Sequence, residues 1–467
     1  MSITRALAKF AVETAWDDLP PAIVRETKLV LMDSIGCALG ALTTDKGKMH
    51  AALARRLGGP PESSVIGVGE KVSCLNAALA NGELILTLDY SNIIAGGHDG
   101  AYVIPAPLAM AESAGASGKE LVVALSLGLE VSARLARAAG RHNLTPEDVR
   151  RQRAAGRGLT GNAYSNFGAA AAAGRLLRFD EARMLHALGV AGHLCMVLSY
   201  GRWGHGGRRH MTKYGVPGWQ STGAVTAALL AEMGYTGDTT VLDDPEHGFP
   251  WYVGYRNWYP EAITDRLGEA WSFDVGLHYK PYPCCGVFHA ALDCFYGVID
   301  EHDLRPEEIE SVTAYCRSDM ETPPFEGISG AQFNPRYVFA VAAHRVRRGV
   351  EWYDPGTMND PGILAFMEKV NCQTYPDYPR ALEADPLANP SKVEVVARGK
   401  TFTEERMYRR GTVRGEVRPS EEEIAAKFRH NAERVLTAKK TEKAIETLLA
   451  LEDVEDVSEL MRHVSPR

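Results

Sequence analysis

The sequence predicts a mainly α-helical fold, in which an α+β lid domain is inserted into a large helical body. The first 271 residues show apolar residues at helical spacing and little of the alternation that is typical of strands. Between residues 272 and 418 the pattern changes, and strand-like segments alternate with helices. From residue 419 to residue 467 the pattern is helical again. We therefore expect the last helices to return to the body.

The helices of the body are indicated by their apolar periodicity. PPAIVRETKLVLMDSIGCALGAL (20–42) begins with proline, and its apolar residues follow helical spacing. SCLNAALANGELILTL (73–88) and KELVVALSLGLEVSARLARAAG (119–140) continue the pattern. Small residues dominate the helices between 160 and 235, which allows close packing. These small-residue helices favour a homodimer formed by the body.

The predicted lid combines helices and strands. HYKPYPCCGVFHAALDCFYGVIDEH (278–302) has helical spacing, so we expect a helix that begins near Cys285 and carries Cys285 and His289 on one face. EEIESVTAYCRS (307–318) alternates like a strand, and NPSKVEVVARGKTFTEERMYRRGTVRG (389–415) indicates a hairpin. Beyond the lid, Ser420 and the acidic residues after it predict the N-cap and first turn of a helix.

Composition and charge narrow the class of protein. With 45% hydrophobic and 24% charged residues, the chain of 467 residues is typical of globular proteins. The net charge of -8 disfavours nucleic acids and membrane surfaces as partners, but it does not exclude a small anionic substrate. The first twenty residues contain no continuous apolar segment. We expect a cytoplasmic protein whose eight cysteines are reduced.

The motifs give no support for a metal or a cofactor. Cys284 and Cys285 are adjacent, so their side chains diverge, and no fourth ligand is spaced to join them and His289. No glycine-rich dinucleotide or phosphate motif follows a strand pattern. We therefore expect no metal at these three residues and no cofactor.

Four polar segments contain candidate functional residues. LDYSNIIAGGHDGAYVIPAPLAMAE (88–112) carries an aspartate and a histidine around a glycine-containing loop, which is either a site or a structural loop. YGRWGHGGRRHMTKYGVPGW (200–219) is cationic and suited to binding carboxylates or phosphates, unless it is only a solvated loop. In YKPYPCCGVFHAAL (279–292) two prolines stiffen the backbone around Lys280, which we expect at a pocket mouth. AQFNPRYVFA (331–340) begins a helix.

These segments, in this order, resemble the MmgE/PrpD family over nearly the whole chain. YKPYPCCGVFHAALD (279–293) is similar to the family's most specific motif, and HDGAYVIPAPLAMAE (98–112) and MTKYGVPGWQSTGAVTAALLAEMGYTGDTTVLDDPEHGF (211–249) resemble two others. The family includes 2-methylcitrate dehydratase, cis-aconitate decarboxylase and iminodisuccinate epimerase. The resemblance implies a homodimer with a cofactor-free active site between the helical body and the lid. Family active-site positions correspond here to the predicted catalytic residues Asp89, His98, Lys213, Lys280 and Tyr337.

Further positions predict how the substrate is held. Three of them depart from the cis-aconitate decarboxylase pattern: Ile93 replaces a threonine, and Leu159 and Cys285 replace histidines. These departures disfavour that activity and suggest an unusual substrate. The full set of predicted substrate-binding residues is Arg202, Arg208, Arg209, Tyr282, Cys285, Ile93 and Leu159.

The expected function is that of a lyase that removes a proton next to a carboxylate of a small polycarboxylate, with loss of water or carbon dioxide. His98, oriented by Asp89, and Lys213 are alternative bases, since burial and nearby cations could lower the pKa of a lysine. Tyr337 or Lys280 is the expected acid. The alternatives are an epimerase or isomerase of an amino- or hydroxy-dicarboxylate, and a non-catalytic family member.

Overall fold

The computed structural model of the protein describes most of the chain, namely residues 2–140, 162–196, 209–255, 258–272, 276–317, 324–385, 387–413 and 417–466. Within these ranges the fold is mainly α-helical, as the sequence predicts. No helix in this part of the chain combines the length and the apolar character that a bilayer crossing requires.

The described residues up to 272 form helices and one short antiparallel strand pair, β1 (Ser63–Ser64) and β2 (Lys71–Val72). Its helices are α1 (Ile3–Glu13), α2 (Pro21–Ala41), α3 (Asp45–Leu57), α4 (Cys74–Thr87), α5 (Asp99–Tyr102), α6 (Pro105–Ala114), α7 (Gly118–Ala138), α8 (Ser165–Leu176), α9 (Glu181–His193), α10 (Pro217–Glu232), α11 (Phe249–Val253) and α12 (Glu261–Thr264). Helices α2, α4 and α7 agree closely with the three segments predicted from apolar periodicity.

A mixed sheet lies in the second part of the chain, where the sequence predicts strands. Its order is β4-β3-β5-β6, with β3 parallel to β4 and the other pairs antiparallel. The strands are β3 (Ile309–Cys316), β4 (Val370–Thr374), β5 (Ser391–Ala397) and β6 (Lys400–Arg406). The accompanying helices are α13 (His289–Glu301), α14 (Gly327–Ala331), α15 (Pro335–Ala343), α16 (Pro355–Met358), α17 (Pro361–Phe366) and α18 (Tyr378–Ala384). The predicted strand is β3, and β5 and β6 form the predicted hairpin.

The helix expected to begin near Cys285 begins instead at His289. Residues 286–288 form a 3₁₀ turn, and Cys285 precedes it with an extended backbone. The amide of Cys285 donates to the carbonyl oxygen of Gln332 at 3.0 Å, so it is engaged with another segment rather than with a helix. The prediction that Cys285 and His289 share one helical face is therefore wrong.

The C-terminal helices begin where the sequence predicts. Ser420 is the N-cap of α19 (Glu421–Ala432), and Ser420 and Glu423 form a reciprocal capping box. Helix α19 packs against α2 of the first part of the chain. It is followed by α20 (Ala438–Leu449) and α21 (Ser458–His463). The domain boundaries at 272 and 418, and the movement of a lid, stay predictions.

The small residues of the body are used inside the chain. Helices α7 and α8 meet at Gly128 and Gly168, where a Cβ on Gly168 would lie 2.2 Å from the carbonyl oxygen of Gly128. Because these small residues already serve internal packing, they no longer argue for a dimer. A dimer is favoured instead by large exposed apolar side chains, which concentrate between residues 211 and 259: Met211, Trp219, Met233, Tyr235, Trp251, Tyr252 and Tyr259.

We expect a homodimer that buries part of this exposed apolar set. Light scattering at micromolar concentration should give twice the mass of one chain. Met233→Glu and Tyr252→Glu, which place charges at two of the most exposed positions, should shift the protein toward monomer. A monomeric wild-type protein under these conditions would contradict the prediction.

Candidate active site

A buried ion pair joins the two halves of the sequence. Asp89 follows the C-terminus of α4 with φ at 51°, a left-handed conformation that aspartate tolerates better than most residues. The ammonium of Lys280 lies 3.0 Å from Oδ1 of Asp89. It also donates to the backbone oxygens of Asp89 at 2.8 Å and Cys284 at 3.1 Å. An ammonium has three donors, and these two backbone oxygens accept two of them.

The position of Lys280 corrects the expectation of a lysine at a pocket mouth. Lys280 is 1% exposed and Asp89 is fully buried. Burial by itself raises the pKa of Asp89, but the charges of Lys280, Lys213 and His98 outweigh burial and hold the pKa below its ordinary value. Asp89 is therefore an anion at neutral pH, and Lys280 is its closest counter-ion.

Lys213 is a second buried lysine of the same cluster. Its ammonium donates to the side-chain oxygen of Gln332 and lies 5.6 Å from the centroid of the Phe333 ring. Burial lowers the pKa of Lys213 to about 7; Asp89 opposes this shift, and the positive charges of Lys46 and Lys280 add to it. At neutral pH a large share of Lys213 is thus the free amine, which is able to accept a proton.

The segment that carries Lys213 is fixed on both sides. Lys46 in α3 lies 2.8 Å from Oε2 of Glu83 in α4 and donates to the carbonyl oxygen of Met211 at 2.8 Å. The other carboxylate oxygen of Glu83 accepts from the amide of Gly218 at 3.2 Å. Anchoring on either side of Lys213 gives its side chain a defined position relative to Asp89.

Gln332 connects the parts of the cluster, although the sequence did not single it out. Its side-chain amide donates to the carbonyl oxygen of Thr87 at the end of α4 at 2.9 Å, while its side-chain oxygen accepts from Lys213. Its backbone oxygen accepts from Cys285 at 3.0 Å. Gln332 lies in AQFNPRYVFA (331–340), the same segment that contains the predicted catalytic residue Tyr337.

His98 and Cys285 border the buried charges. Nε2 of His98 lies 3.9 Å from Oδ1 of Asp89, the same oxygen that pairs with Lys280. The His98 ring lies 4.4 Å from the ring of Tyr214, measured between centroids. Burial raises the pKa of the Cys285 thiol, so this side chain is neutral at pH 7 and shapes the site without charge.

Three other predicted residues form hydrogen bonds with groups outside the Asp89–Lys280–Lys213 cluster. The hydroxyl of Tyr337 donates to the carbonyl oxygen of Trp352, and the hydroxyl of Tyr282 donates to Asp293 at 2.7 Å. Ile93 is held by two backbone hydrogen bonds with His278, both 2.8 Å long.

Of the predicted cationic loop, residues 200–219, only residues 209–219 are described by the structure. The guanidinium of Arg209 lies 6.0 Å from the centroid of the Phe333 ring, so it faces the same ring as Lys213. Leu159, Arg202 and Arg208 lie outside the described residues.

The side chains that could bind a metal already have other partners. Both ring nitrogens of His289 have partners, the carbonyl oxygen of Cys284 at 3.1 Å and the ring of His278 at 3.4 Å. That no metal binds at Cys284, Cys285 and His289 stays a prediction. Within the described ranges, three side chains have ligand atoms within 4.8 Å of one another: Glu351, His430 and Glu433. Arginines already bind both carboxylates, Arg434 at 3.1 Å and Arg347 at 2.5 Å.

Fold and site together define a mainly helical protein with a cluster of ionisable side chains in its interior. Residues 5–261 match the MmgE/PrpD N-terminal domain, and residues 282–453 match the MmgE/PrpD C-terminal domain. The chain belongs to the MmgE/PrpD family, as its motifs suggest.

Its similarity to individual proteins extends over the whole length at low identity. It is 23% identical to the cis-aconitate decarboxylase-like protein oryM of Aspergillus oryzae, over 99% of this chain and 97% of that protein. It is 26% identical to human cis-aconitate decarboxylase, over 98% of this chain and 94% of that enzyme. Cis-aconitate decarboxylase of Aspergillus terreus is 24% identical, over 73% and 71% of the two chains. Both domains of the family thus contribute to the similarity.

Proposed function

We propose that the protein is a lyase that acts on a small polycarboxylate and releases carbon dioxide or water. The observation that carries this proposal is a cluster of buried ionisable side chains, in which Lys213, bound to Gln332, belongs with the Asp89–Lys280 ion pair. Burial lowers the pKa of Lys213 to about 7. A base whose pKa lies near the working pH is well suited to proton transfer at carbon. Family membership and the decarboxylase names of the relatives support the same reaction class.

Both reactions place negative charge on a carbon next to a carboxylate. In dehydration, the Lys213 amine takes the proton from that carbon, the electron pair forms a double bond, and the hydroxyl leaves as water after it is protonated. In decarboxylation, the bond to one carboxylate breaks, carbon dioxide leaves, and the Lys213 ammonium gives a proton to the resulting carbanion. Nearby positive charges stabilise the carbanion in either case.

The other residues of the cluster receive supporting roles in this proposal. His98, close to Asp89, is the second candidate for proton transfer. Asp89 and Lys280 determine the electrostatic potential at Lys213. The negative charge of Asp89 partly compensates the positive charge of protonated Lys213. Tyr337 receives no proton-transfer step, because its hydroxyl already donates to the Trp352 carbonyl. Ile93 and the neutral Cys285 favour a substrate other than cis-aconitate.

The reaction class is tested by incubating the purified full-length protein in deuterated water with citrate-like tricarboxylates and amino-dicarboxylates. Proton NMR should show a new unsaturated acid from one of the tricarboxylates. Deuterium uptake without net product would replace the proposal by the epimerase alternative. No change in any compound would favour a non-catalytic family member.

A further inference from the structure

Lys427, in helix α19, is a third lysine beside the Asp89–Lys280 pair, and its side chain is only 11% exposed. Its ammonium donates to Oδ1 of Asp33 in α2 at 2.7 Å. It also donates to the backbone oxygen of Tyr90 at 2.6 Å and to that of Lys280 at 3.0 Å. These three acceptors use all three donors of an ammonium. One side chain of a C-terminal helix thus holds the main chain beside both members of the ion pair.

Asp33 extends this support to the segment that follows Asp89. The side chain of Asp33 is fully buried, and its second carboxylate oxygen accepts from the amide of Asn92 at 2.9 Å and from the Asn92 side chain at 3.1 Å. The Lys427 ammonium lies 3.7 Å from the centroid of the Tyr90 ring, which is a cation–π contact. The chain on the C-terminal side of Asp89 is therefore fixed at positions 90 and 92 by the Asp33–Lys427 pair.

The contacts of Lys427 indicate an effect through geometry. Burial by itself lowers its pKa, but neighbouring groups, Asp33 foremost, outweigh burial and keep the pKa above its ordinary value, so Lys427 stays an ammonium at neutral pH. The largest charge effects on Asp89 come from Lys280 and Lys213, whereas Lys427 contacts the pair at its backbone. Position matters at an active site, because a displacement of about 1 Å can cost about 100-fold in rate.

We propose that Lys427, with its counter-ion Asp33, is a positioning residue of the active site. It holds the backbone at Tyr90 and Lys280, so that the Asp89–Lys280 pair keeps the geometry that the reaction needs. For its effect on catalysis this inference rests on the proposed function. It makes helix α19 necessary for turnover, although none of the predicted site residues lies in that helix.

Lys28 supplies a matched control. Its side chain is also 11% exposed, and its ammonium also has three acceptors, the two carboxylate oxygens of Glu452 at 2.8 and 2.9 Å and the carbonyl oxygen of Leu449 at 2.5 Å. Like Lys427, it links α2 to the C-terminal part of the chain, but its partners lie outside the active-site cluster. Lys28→Met and Lys427→Met should both lower the urea midpoint of unfolding, the second more because it leaves the buried Asp33 without its counter-ion.

The two variants should differ in turnover at a temperature at which both are folded. With the substrate found in the NMR panel, Lys427→Met should lower kcat about 10- to 100-fold with a smaller change in KM, as expected when the support of an active-site group is lost. Lys28→Met should keep the wild-type kcat. Lys427→Arg keeps the charge and several donors, so its kcat should lie between those of wild type and Lys427→Met. If Lys427→Met does not fold, Lys427→Gln takes its place. Equal kcat in the Lys28 and Lys427 variants would overturn the positioning role alone.

A double-mutant cycle tests the same coupling without any substrate. Once Lys280→Ala has broken the ion pair, Lys427 has less to hold in place, so Lys427→Met and Lys280→Ala should be less than additive in urea unfolding. Lys28→Met and Lys280→Ala should simply add. Additivity of both combinations would overturn the inference, whatever the activity. If no panel compound is converted, the proposed function fails, and the cycle still decides whether Lys427 supports the pair.

Discussion

Replacing Lys213 by methionine should lower kcat about 10²- to 10⁴-fold, the range expected when a positioned acid–base group is lost. Methionine keeps most of the volume of the buried stem but cannot accept or donate a proton. The fold should persist, because the main loss to folding is the partner of Gln332. Steady-state kinetics with the substrate found in the NMR panel, together with a thermal unfolding curve, checks both parts.

The pH dependence separates a base from a fixed charge. With a pKa of about 7, Lys213 is the free amine above that pH. If the reaction is dehydration, in which Lys213 is the base, kcat/KM should rise as the pH increases through 7 and then level off; if it is decarboxylation, in which the Lys213 ammonium donates the proton, kcat/KM should fall across the same range. The wild-type profile alone does not exclude His98, because histidine is also a common base at neutral pH. Lys213→Arg keeps the positive charge and cannot deprotonate. If it retains wild-type kcat, Lys213 is not the base, and His98→Gln should then show the large loss.

Stability gives an independent measure of the same ionisation, without any substrate. The folded protein loses the Lys213 proton near pH 7, whereas an unfolded lysine keeps it to about 10.4. The unfolded state binds more protons between these values, so this residue makes the free energy of unfolding rise with pH across that window. The difference between wild type and Lys213→Met in urea unfolding should show this rise. A difference that does not change with pH would contradict the lowered pKa.

Local elements of the fold could be predicted from the sequence because their signals are local. Apolar periodicity placed α2 and α4 to within a residue or so at each end, and segments rich in Val, Thr and Tyr indicated the β5–β6 hairpin. The start of α19 could be predicted from Ser420 because the capping box lies within four consecutive residues. The start of α13 was misplaced, since the partner that keeps Cys285 out of the helix is the distant Gln332.

The energetics of the site depended on neighbours that no local pattern shows. Lys280 was expected at a pocket mouth because two prolines, at 281 and 283, stiffen the backbone that follows it, but its partner Asp89 is 191 positions away in the sequence. The residue types predicted the chemistry of the site. Its protonation states depend on long-range contacts, which the sequence does not show.

The buried Asp89–Lys280 pair carries the largest expected effect on stability. Lys280→Ala should lower the free energy of unfolding by about 3–5 kcal/mol, the range for removing one partner of a buried pair. The reason is that Asp89 would be left fully buried without its nearest counter-ion, and Lys213 would compensate it only in part. Activity should be lost as well.

A double-mutant cycle distinguishes loss of the pair from loss of the lysine stem. In Lys280→Ala combined with Asp89→Asn, no uncompensated carboxylate remains, so part of the lost stability should return while activity stays absent. The exposed pair Arg410–Glu423 supplies the control, since Arg410→Ala should cost less than about 1 kcal/mol. Urea unfolding of the four proteins of the cycle, at one pH near neutral, gives the coupling energy directly. If Lys280→Ala and the double variant were equally destabilised, the cost would come from lost packing, and the ion pair would not be what holds Asp89 in its buried, charged state.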